Sequence, residues 1–204
     1  MRQNETGAPM KSASTRRLFA YWNERRGSRV APERGDLEPG AIRALLADSF
    51  IINFDPEAGH PLRLAGTRVC ALFCRELKDA PFQGLWSADS RPEIRELISV
   101  VADEATPIVA GTSGQPAEDY PCADLELLLL PLYHRGHRNV RMLGMLAPVI
   151  VPYWLGVSPI DRLALGAVRH LGPGAQTVTA PRLVPVQGTG RIRRGFTVYD
   201  GGRS

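Results

Sequence analysis

The sequence predicts an α+β fold in which a five-stranded antiparallel sheet carries helices on one face. Five short apolar segments, bounded by turn residues, have the composition of β-strands. Between the second and the third of them lie segments with the spacing of amphipathic helices. A strand pair, a helical excursion and three further strands are most simply joined as an antiparallel sheet with a helical layer.

Each expected strand is identified by its apolar residues and by the turn that ends it. In chain order the strands are SFIINFDP, PLRLAG, TPIVAGTS, DLELLLLPLYH and NVRMLGMLAPVIV. A turn containing Gly59 joins the first two, and RGHR joins the last two, so both pairs are expected to be hairpins. The segment GQPAEDYPCA is a turn-rich linker between the third and fourth strands.

Two helices are expected between the second and third strands. The stretch TRVCALFCREL, residues 67–77, follows the second strand directly. In EIRELISVVADEA the apolar residues recur at intervals of three, four and seven, which predicts one buried stripe. Its members are Ile94, Leu97, Ile98 and Val101. Ser90 and Glu93 have the spacing of a capping box at the start of this helix.

Helical segments are expected on both sides of the sheet domain. Upstream, STRRLFAYWNERRG is rich in aromatic residues and stops at Gly27, and EPGAIRALLADS forms a second helix. Downstream, SPIDRLALGAVRHL is expected to be a helix, followed by a Gly- and Pro-rich, mostly extended tail with one strand near FTVY. The predicted divisions are a disordered N-terminus (1–13), a helical flank (14–48), the sheet domain (49–155) and a C-terminal helix with a basic tail (156–204).

Composition limits the class of protein. Hydrophobic residues make up 44% of the chain and charged residues 23%, which are values of a globular domain. No apolar run approaches the ~20 residues that a membrane span requires, and the polar N-terminus lacks the apolar core of a secretory signal. Three cysteines do not suggest a disulfide framework. A cytoplasmic protein is expected.

The basic residues are concentrated at the two ends of the chain. Residues 1–36 carry a net charge of +4 and residues 181–204 also +4, whereas residues 37–180 carry −4. A nucleic-acid-binding fold should carry its basic patch on the folded core, so nucleic acid is an unlikely partner. The alternative that remains is a nucleic-acid-associated protein that uses its Arg-rich termini, with RIRRGF as the contact.

The order of elements resembles that of the PAS domain, and in particular a family of small stand-alone bacterial PAS proteins formerly of unknown function. The matching motifs are LFAYWNERRG, APERGDLEP, LRLAGTRVCALFCREL, FQGLW, LLLPL, LGMLAP and the ending YDGG. The resemblance covers nearly all of the chain beyond its first dozen residues. It implies a PAS-like fold and a general sensory or interaction role in signal transduction. It implies no particular chemistry, because one fold supports many functions.

Two thiols are the first candidates for chemistry. In a helix Cys70 and Cys74 would lie on one face, and His134 with His137 could complete a four-ligand zinc site. The favoured interpretation is that both thiols pack as small apolar residues. A metal- or thiol-dependent enzyme is kept as an alternative hypothesis.

No other catalytic constellation is found in the sequence. GTSGQ lacks the final glycine of a nucleophile elbow, and neither lysine follows a glycine as in a phosphate-binding loop. The acidic residues Glu118, Asp119, Asp124 and Glu126 are expected to face solvent. His60 and His170 stand alone and are expected at the surface or at a helix end. We therefore expect no catalytic residues, no metal and no cofactor.

Binding is the function that remains. A small apolar ligand, if present, would lie between the helices and the concave sheet. The candidate ligand-binding residues are Cys70, Phe73, Cys74, Trp86, Leu97, Val101, Leu127, Leu129 and Met145. Leu18, Phe19 and Trp22 are candidate interface residues through which the N-terminal helix would form a homodimer, unless that helix caps its own sheet. The leading hypothesis is a non-enzymatic module that regulates through an unidentified protein partner.

Overall fold

The computed structural model describes residues 10–134, 137–171, 177–178, 191–193 and 196–198. Within these ranges it contains three α-helices: α1 (Ala13–Arg26), α2 (Thr67–Leu72) and α3 (Arg91–Asp103). The strands are β1 (Ser49–Asn53), β2 (Leu62–Ala65), β3 (Ile108–Pro116), β4 (Ala123–His134), β5 (His137–Pro148), β6 (Ile160–His170), β7 (Thr177–Val178), β8 (Arg191–Arg193) and β9 (Phe196–Val198). Three short 3₁₀ turns span Arg34–Asp36, Arg43–Asp48 and Phe82–Leu85.

One antiparallel sheet organises the fold. Its strand order is β2-β1-β5-β4-β3-β6-β7, and every neighbouring pair is antiparallel. The predicted α+β class and antiparallel sheet are confirmed. The predicted count of five strands is wrong, because β6 and the two-residue β7 extend the sheet beyond β3. The strand predicted near FTVY is present as β9, which pairs with β8 in a separate hairpin.

The strand β6 replaces a helix that was predicted over SPIDRLALGAVRHL. Its pairing with β3 contains two irregularities, one near Gly111 and one at Pro116. Each irregularity shifts the side-chain alternation by one residue, so that Ile160, Leu163 and Val168 are buried at spacings that resemble a helix. Leucine and alanine favour helix locally, but the free edge of β3 satisfies the backbone of this segment in the sheet. The prediction was wrong because tertiary pairing outweighs local propensity.

The first face of the sheet is covered by α2, α3 and the turn Phe82–Leu85. We call it the helical face. The predicted stripe of α3 is confirmed, because Ile94, Ile98 and Val101 are fully buried there and Leu97 nearly so. The predicted capping box is not formed: the Ser90 hydroxyl instead accepts a hydrogen bond from the backbone N–H of Leu165, 3.0 Å away. This bond ties the start of α3 to β6.

The opposite face is covered by α1 and the turn Arg43–Asp48, and we call it the N-terminal face. Side chains that alternate with those of the helical face form a second apolar cluster here, including Leu128, Leu130, Leu143 and Met145. Helices therefore cover both faces of the sheet. Of the residues predicted to be disordered, 1–9 lie outside the described part, whereas Met10 is buried in this cluster.

Candidate interaction surface

Most of the predicted ligand-binding residues form the core of the helical face. The buried members are Phe73, Trp86, Leu97, Val101, Leu127 and Leu129. They pack in one apolar cluster with the ring of Phe82, which lies 5.8 Å from that of Trp86 in an edge-on arrangement. Met145 belongs to the N-terminal face, so the sheet separates it from the others. The predicted set therefore does not surround one site.

Cys70 and Cys74 do not share a helical face. The helix ends at Leu72, and Cys74 has the left-handed backbone angle φ 48°. Cys70 is partly buried against the core of the helical face, and Cys74 is exposed. The predicted packing role therefore applies to Cys70, whereas Cys74 is a surface residue. The predicted helix over residues 67–77 was too long because residues 73–77 leave the helical path.

The acidic residues of the β3–β4 connection are divided between surface and interior. Glu118, Asp119 and Asp124 are exposed, as predicted. Glu126 is buried on the N-terminal face, and its two carboxylate oxygens accept the backbone N–H groups of Lys11 and Ser12. No group of three metal-ligating side chains occurs among the residues that the structure describes. The side chains of His134 and His137 lie outside them.

His60 lies in the interior, whereas the sequence predicted a position at the surface or at a helix end. Its side chain is fully buried, and its ring lies 5.3 Å from that of Phe54. Nδ1 accepts a hydrogen bond from the backbone N–H of Asp55, 3.2 Å away. Burial lowers the pKa of His60, and Arg95 adds to this effect, whereas Asp55 opposes it. The imidazole is therefore held in its neutral form.

The predicted interface residues of α1 pack against their own chain. Leu18 and Trp22 are buried on the N-terminal face, and Phe19 is half-buried beside them. The indole N–H of Trp22 donates to the carbonyl oxygen of Pro131 in β4, 2.9 Å away. Homodimerisation through α1 stays a prediction, and it would have to use the outward side of the helix.

Among the residues whose side chains the structure describes, the largest group of exposed apolar side chains lies in the connection between β5 and β6, residues 149–159, which we call the β5–β6 loop. The exposed members are Val149, Ile150, Val151, Tyr153 and Val157. Ile150, Tyr153 and Val157 retain 80%, 78% and 71% of their accessible surface. Exposed apolar side chains that are grouped in this way are typical of interaction sites on soluble domains.

The β5–β6 loop is anchored to the β3–β4 connection. Trp154, a residue of the loop, is buried, and its indole N–H donates to the carbonyl oxygen of Pro121 at 3.2 Å. The ring of Tyr120 lies between those of Tyr153 and Trp154, 5.9 and 6.2 Å from them. The backbone N–H of Val149 donates to the carbonyl oxygen of Asp124. The exposed side chains are thus presented from a fixed base.

The connection that anchors the loop carries three exposed acidic residues. The exposed Glu118, Asp119 and Asp124 belong to the connection on which the loop rests. No lysine or arginine occurs in residues 96–134 or 142–161. Lys11 lines a surface pocket together with Asp124 and Val149. The acidic rim of the loop therefore consists of Glu118, Asp119 and Asp124 on the β3–β4 connection, and a surface complementary to these carboxylates would carry basic residues.

The sequence interpretation missed this surface because it assigned APVIV to the end of a strand. The signal that could have found it is the spacing of Pro148, Pro152 and Pro159. Proline has no N–H to donate and interrupts sheet pairing, so an apolar run between prolines is poorly suited to a central strand. An apolar run that cannot enter the sheet is left as a loop.

Comparison with known families places this arrangement. A family model described as a PAS domain matches residues 10–147. The chain belongs to the PAS domain family. No curated protein matches the chain.

The matched range covers the larger part of the described fold. It begins at Met10, next to the segment held by Glu126, and it ends at residue 147 near the end of β5. It includes strands β1 to β5 and the layers that cover the two faces of the sheet. The β5–β6 loop and β6 follow the matched range. None of the helices in the described ranges has the length and apolar content that would let it cross a membrane. PAS domains are in general sensory and interaction modules, which is the role that the family assigns at this level.

Proposed function

We propose that this PAS domain is a non-enzymatic regulatory module that binds a protein partner through the β5–β6 loop. The observation that carries the proposal is the exposure of Ile150, Tyr153 and Val157 on a loop fixed by buried Trp154. An anchored loop loses little conformational freedom on binding, so the burial of its side chains contributes more fully to affinity. The proposal assigns no reaction to the chain.

Tyr153 is the expected centre of the interface. Tyrosine is enriched among the residues that dominate binding energies, because it buries a large apolar ring and retains a hydroxyl for a hydrogen bond. Its ring stands edge-on to Tyr120, which limits its freedom before binding. Ile150 and Val157 add exposed aliphatic surface from the same loop.

The acidic rim defines the partner further. We propose a protein surface with apolar side chains surrounded by lysine and arginine, because Glu118, Asp119 and Asp124 would attract it. The proposed compartment is the cytoplasm. Support for it comes from the three cysteines, all of which are free; cysteines stay reduced in that compartment.

Site-specific crosslinking tests the proposal. A photo-crosslinking amino acid would replace Ile150 in one version of the full chain and Val30 in another, and both would be expressed in the native host. Val30 is exposed and belongs to the chain segment that connects α1 to β1, far in sequence from the loop. We expect a discrete adduct from position 150, with a protein that carries a basic contact surface, and none from position 30.

Matched substitutions provide the control. Val151→Ser and Val30→Ser alter valines of similar exposure, 58% and 51%. The loop variant, alone or with Tyr153→Ser, should abolish the adduct, whereas Val30→Ser should leave it unchanged. Identical crosslinking patterns from the two positions would refute the proposal. Capture of only a second copy of this chain would assign the loop to self-association and overturn the proposed partner.

A further inference from the structure

A groove of 470 Å³ lies on the N-terminal face at the β2 edge of the sheet, and we call it the edge groove. Its floor is a row of three apolar side chains from adjacent strands, Leu64, Ile51 and Leu143, which are direct partners across β2, β1 and β5. Exposure increases along this row, from buried Leu143 to Leu64 at 47%. The groove therefore opens towards the edge of the sheet.

The wall of the edge groove is the segment between α1 and β1. Five apolar residues of this segment line it: Leu37, Pro39, Ile42, Leu46 and Ala47. Ile42 is buried, and Leu37 and Leu46 are half-buried. A volume of several hundred Å³ with apolar floor and walls is typical of a small-molecule site. The site is distinct from the core of the helical face, where the predicted ligand-binding residues pack.

Arg34 and Arg43 are the charged residues that line the edge groove, within the part of the chain that the structure describes. Both are exposed, and neither forms an ion pair with any residue in the described part of the chain.

Three carboxylates near the groove pair with other arginines. The carboxylate oxygen Oδ2 of Asp36 lies 2.6 Å from Nη2 of Arg29, and Oε1 of Glu38 lies 3.3 Å from Nη1 of Arg25. The Arg29 guanidinium lowers the pKa of Asp36, which keeps that carboxylate charged and paired. Asp48, at the end of the wall, pairs with Arg68 at 2.6 Å. Among the described residues that line the groove, the two arginines therefore give a net positive charge and no carboxylate offsets it.

From this combination we infer that the edge groove binds a small amphipathic carboxylate, with an aliphatic or aryl body on the Leu64–Ile51–Leu143 row and its carboxylate at Arg34 and Arg43. Apolar contact supplies affinity over the floor and walls. Guanidinium groups recognise carboxylates through charge-assisted hydrogen bonds, which gives the head group its specificity. A neutral ligand would leave the arginines unused, and a cationic one would be repelled.

Three probes of equal chain length test the head group. Decanoate, decanol and decyltrimethylammonium would be titrated into the full-length protein by calorimetry, the two ionic probes below their critical micelle concentrations and decanol below its solubility limit in water. We expect decanoate to bind at one site, with affinity about tenfold or more above that of decanol, as charge-assisted hydrogen bonds predict. The ammonium compound should show no binding at this site. Equal affinities for the three probes, or uptake at many sites, would overturn the inference.

Variants locate the site. Arg34→Gln with Arg43→Gln should weaken decanoate binding about tenfold and leave decanol unchanged. Leu64→Asn should weaken both ligands, and its exposed position makes it compatible with folding. Arg63→Gln is the matched control, because Arg63 precedes Leu64 in β2, pairs with Asp79 and does not line the groove. Decanoate binding that Arg34→Gln/Arg43→Gln does not change would refute the assignment.

The two proposals fail independently. Loss of ligand binding in the edge groove leaves crosslinking at position 150 unaffected, and loss of crosslinking leaves the calorimetric result unaffected.

Discussion

The carboxylate of Glu126 in β4 accepts hydrogen bonds from two successive backbone N–H groups, those of Lys11 and Ser12, at 2.7 and 2.9 Å. Ser12 is also the N-cap of α1, where its hydroxyl accepts the backbone N–H of Thr15. One buried side chain of the sheet thereby fixes the position at which α1 begins. Glu126 and Ser12 are 114 residues apart in sequence, and their hydrogen bond anchors the N-terminal layer to the sheet.

We expect Glu126→Gln to lower the free energy of unfolding by about 1–3 kcal/mol, the range for hydrogen bonds to a charged group. The glutamine amide has one oxygen, which can accept one of the two N–H groups. Its NH₂ group would face the other N–H, which would then have no acceptor. Urea denaturation of the variant and the wild type measures the difference. The control is Glu118→Gln, which alters an exposed glutamate and should change stability by less than about 0.5 kcal/mol. Equal losses in the two variants would contradict the anchoring role.

Trp22 supplies the second attachment of α1. Its indole N–H satisfies the carbonyl oxygen of Pro131, a residue that has no N–H for the β4–β5 pairing. Trp22→Phe retains an aromatic ring but leaves this buried carbonyl without its donor. We expect a loss of about 2–4 kcal/mol in unfolding free energy, from the unsatisfied group and the lost volume.

The parallel variant Phe19→Leu alters a half-buried ring that packs on the same cluster and forms none of the hydrogen bonds described here. It should cost less than Trp22→Phe. A larger loss for Phe19→Leu would mean that packing of the aromatic cluster, and not the indole hydrogen bond, holds α1.

Local patterns in the sequence were sufficient for the parts of the fold that local physics controls. The stripe of α3 was predicted because its helical spacing is uninterrupted over Ile94–Val101. The β6 strand was not, because the irregular pairing with β3 masks its alternation. The ligand-binding set was assigned by apolar character alone, which does not separate a pocket from a filled core. Met145 shows this directly, since it lies on the other side of the sheet.

The sites proposed here depend on arrangements that a sequence does not encode locally. The edge groove requires Leu64, Ile51 and Leu143 to be neighbours across three strands. Its charge depends on which carboxylate pairs with which arginine, and these pairs are set by the path of residues 34–48. The proline spacing of the β5–β6 loop was visible in the sequence, but its exposure depends on where β6 joins the sheet.

Gly144 in β5 lies directly opposite Phe50 in β1. A Cβ on Gly144 would overlap the ring of Phe50, which in turn stacks on Phe82 at 5.2 Å. We expect Gly144→Ala to lower the free energy of unfolding by about 1–3 kcal/mol, as overpacking of a core does. Thermal and urea unfolding would measure the change.

Gly111→Ala is the matched control for this overlap. Gly111 is also a strand glycine of the sheet, but a Cβ there would meet no atom within 4 Å. We expect it to be neutral or slightly stabilising, because alanine reduces the freedom of the unfolded chain. A comparable loss in both variants would show that replacing a strand glycine is costly whatever its neighbours, and that Phe50 is not the cause.

His60 makes the stability of this PAS domain dependent on pH. Burial lowers the pKa of His60, so the folded chain keeps a neutral imidazole at a pH where the unfolded chain binds a proton. The unfolded state then holds more protons, and the free energy of unfolding must fall as the pH decreases below the ordinary histidine pKa of about 6.5. The slope from this one group cannot exceed about 1.4 kcal/mol per pH unit.

The variant His60→Asn removes this titration and retains a residue type that tolerates the left-handed angle φ 58°. Urea unfolding at pH values of about 7.5 and 5.5 would compare the two proteins, in which the other three histidines are unchanged. We expect the wild type to lose more stability than His60→Asn over this interval, whatever the stability of the variant at neutral pH. Asp55 raises the pKa of His60 and Arg95 lowers it, so Asp55→Asn should steepen the wild-type decline. Parallel pH profiles for the wild type and His60→Asn would show that the buried imidazole is not the group responsible.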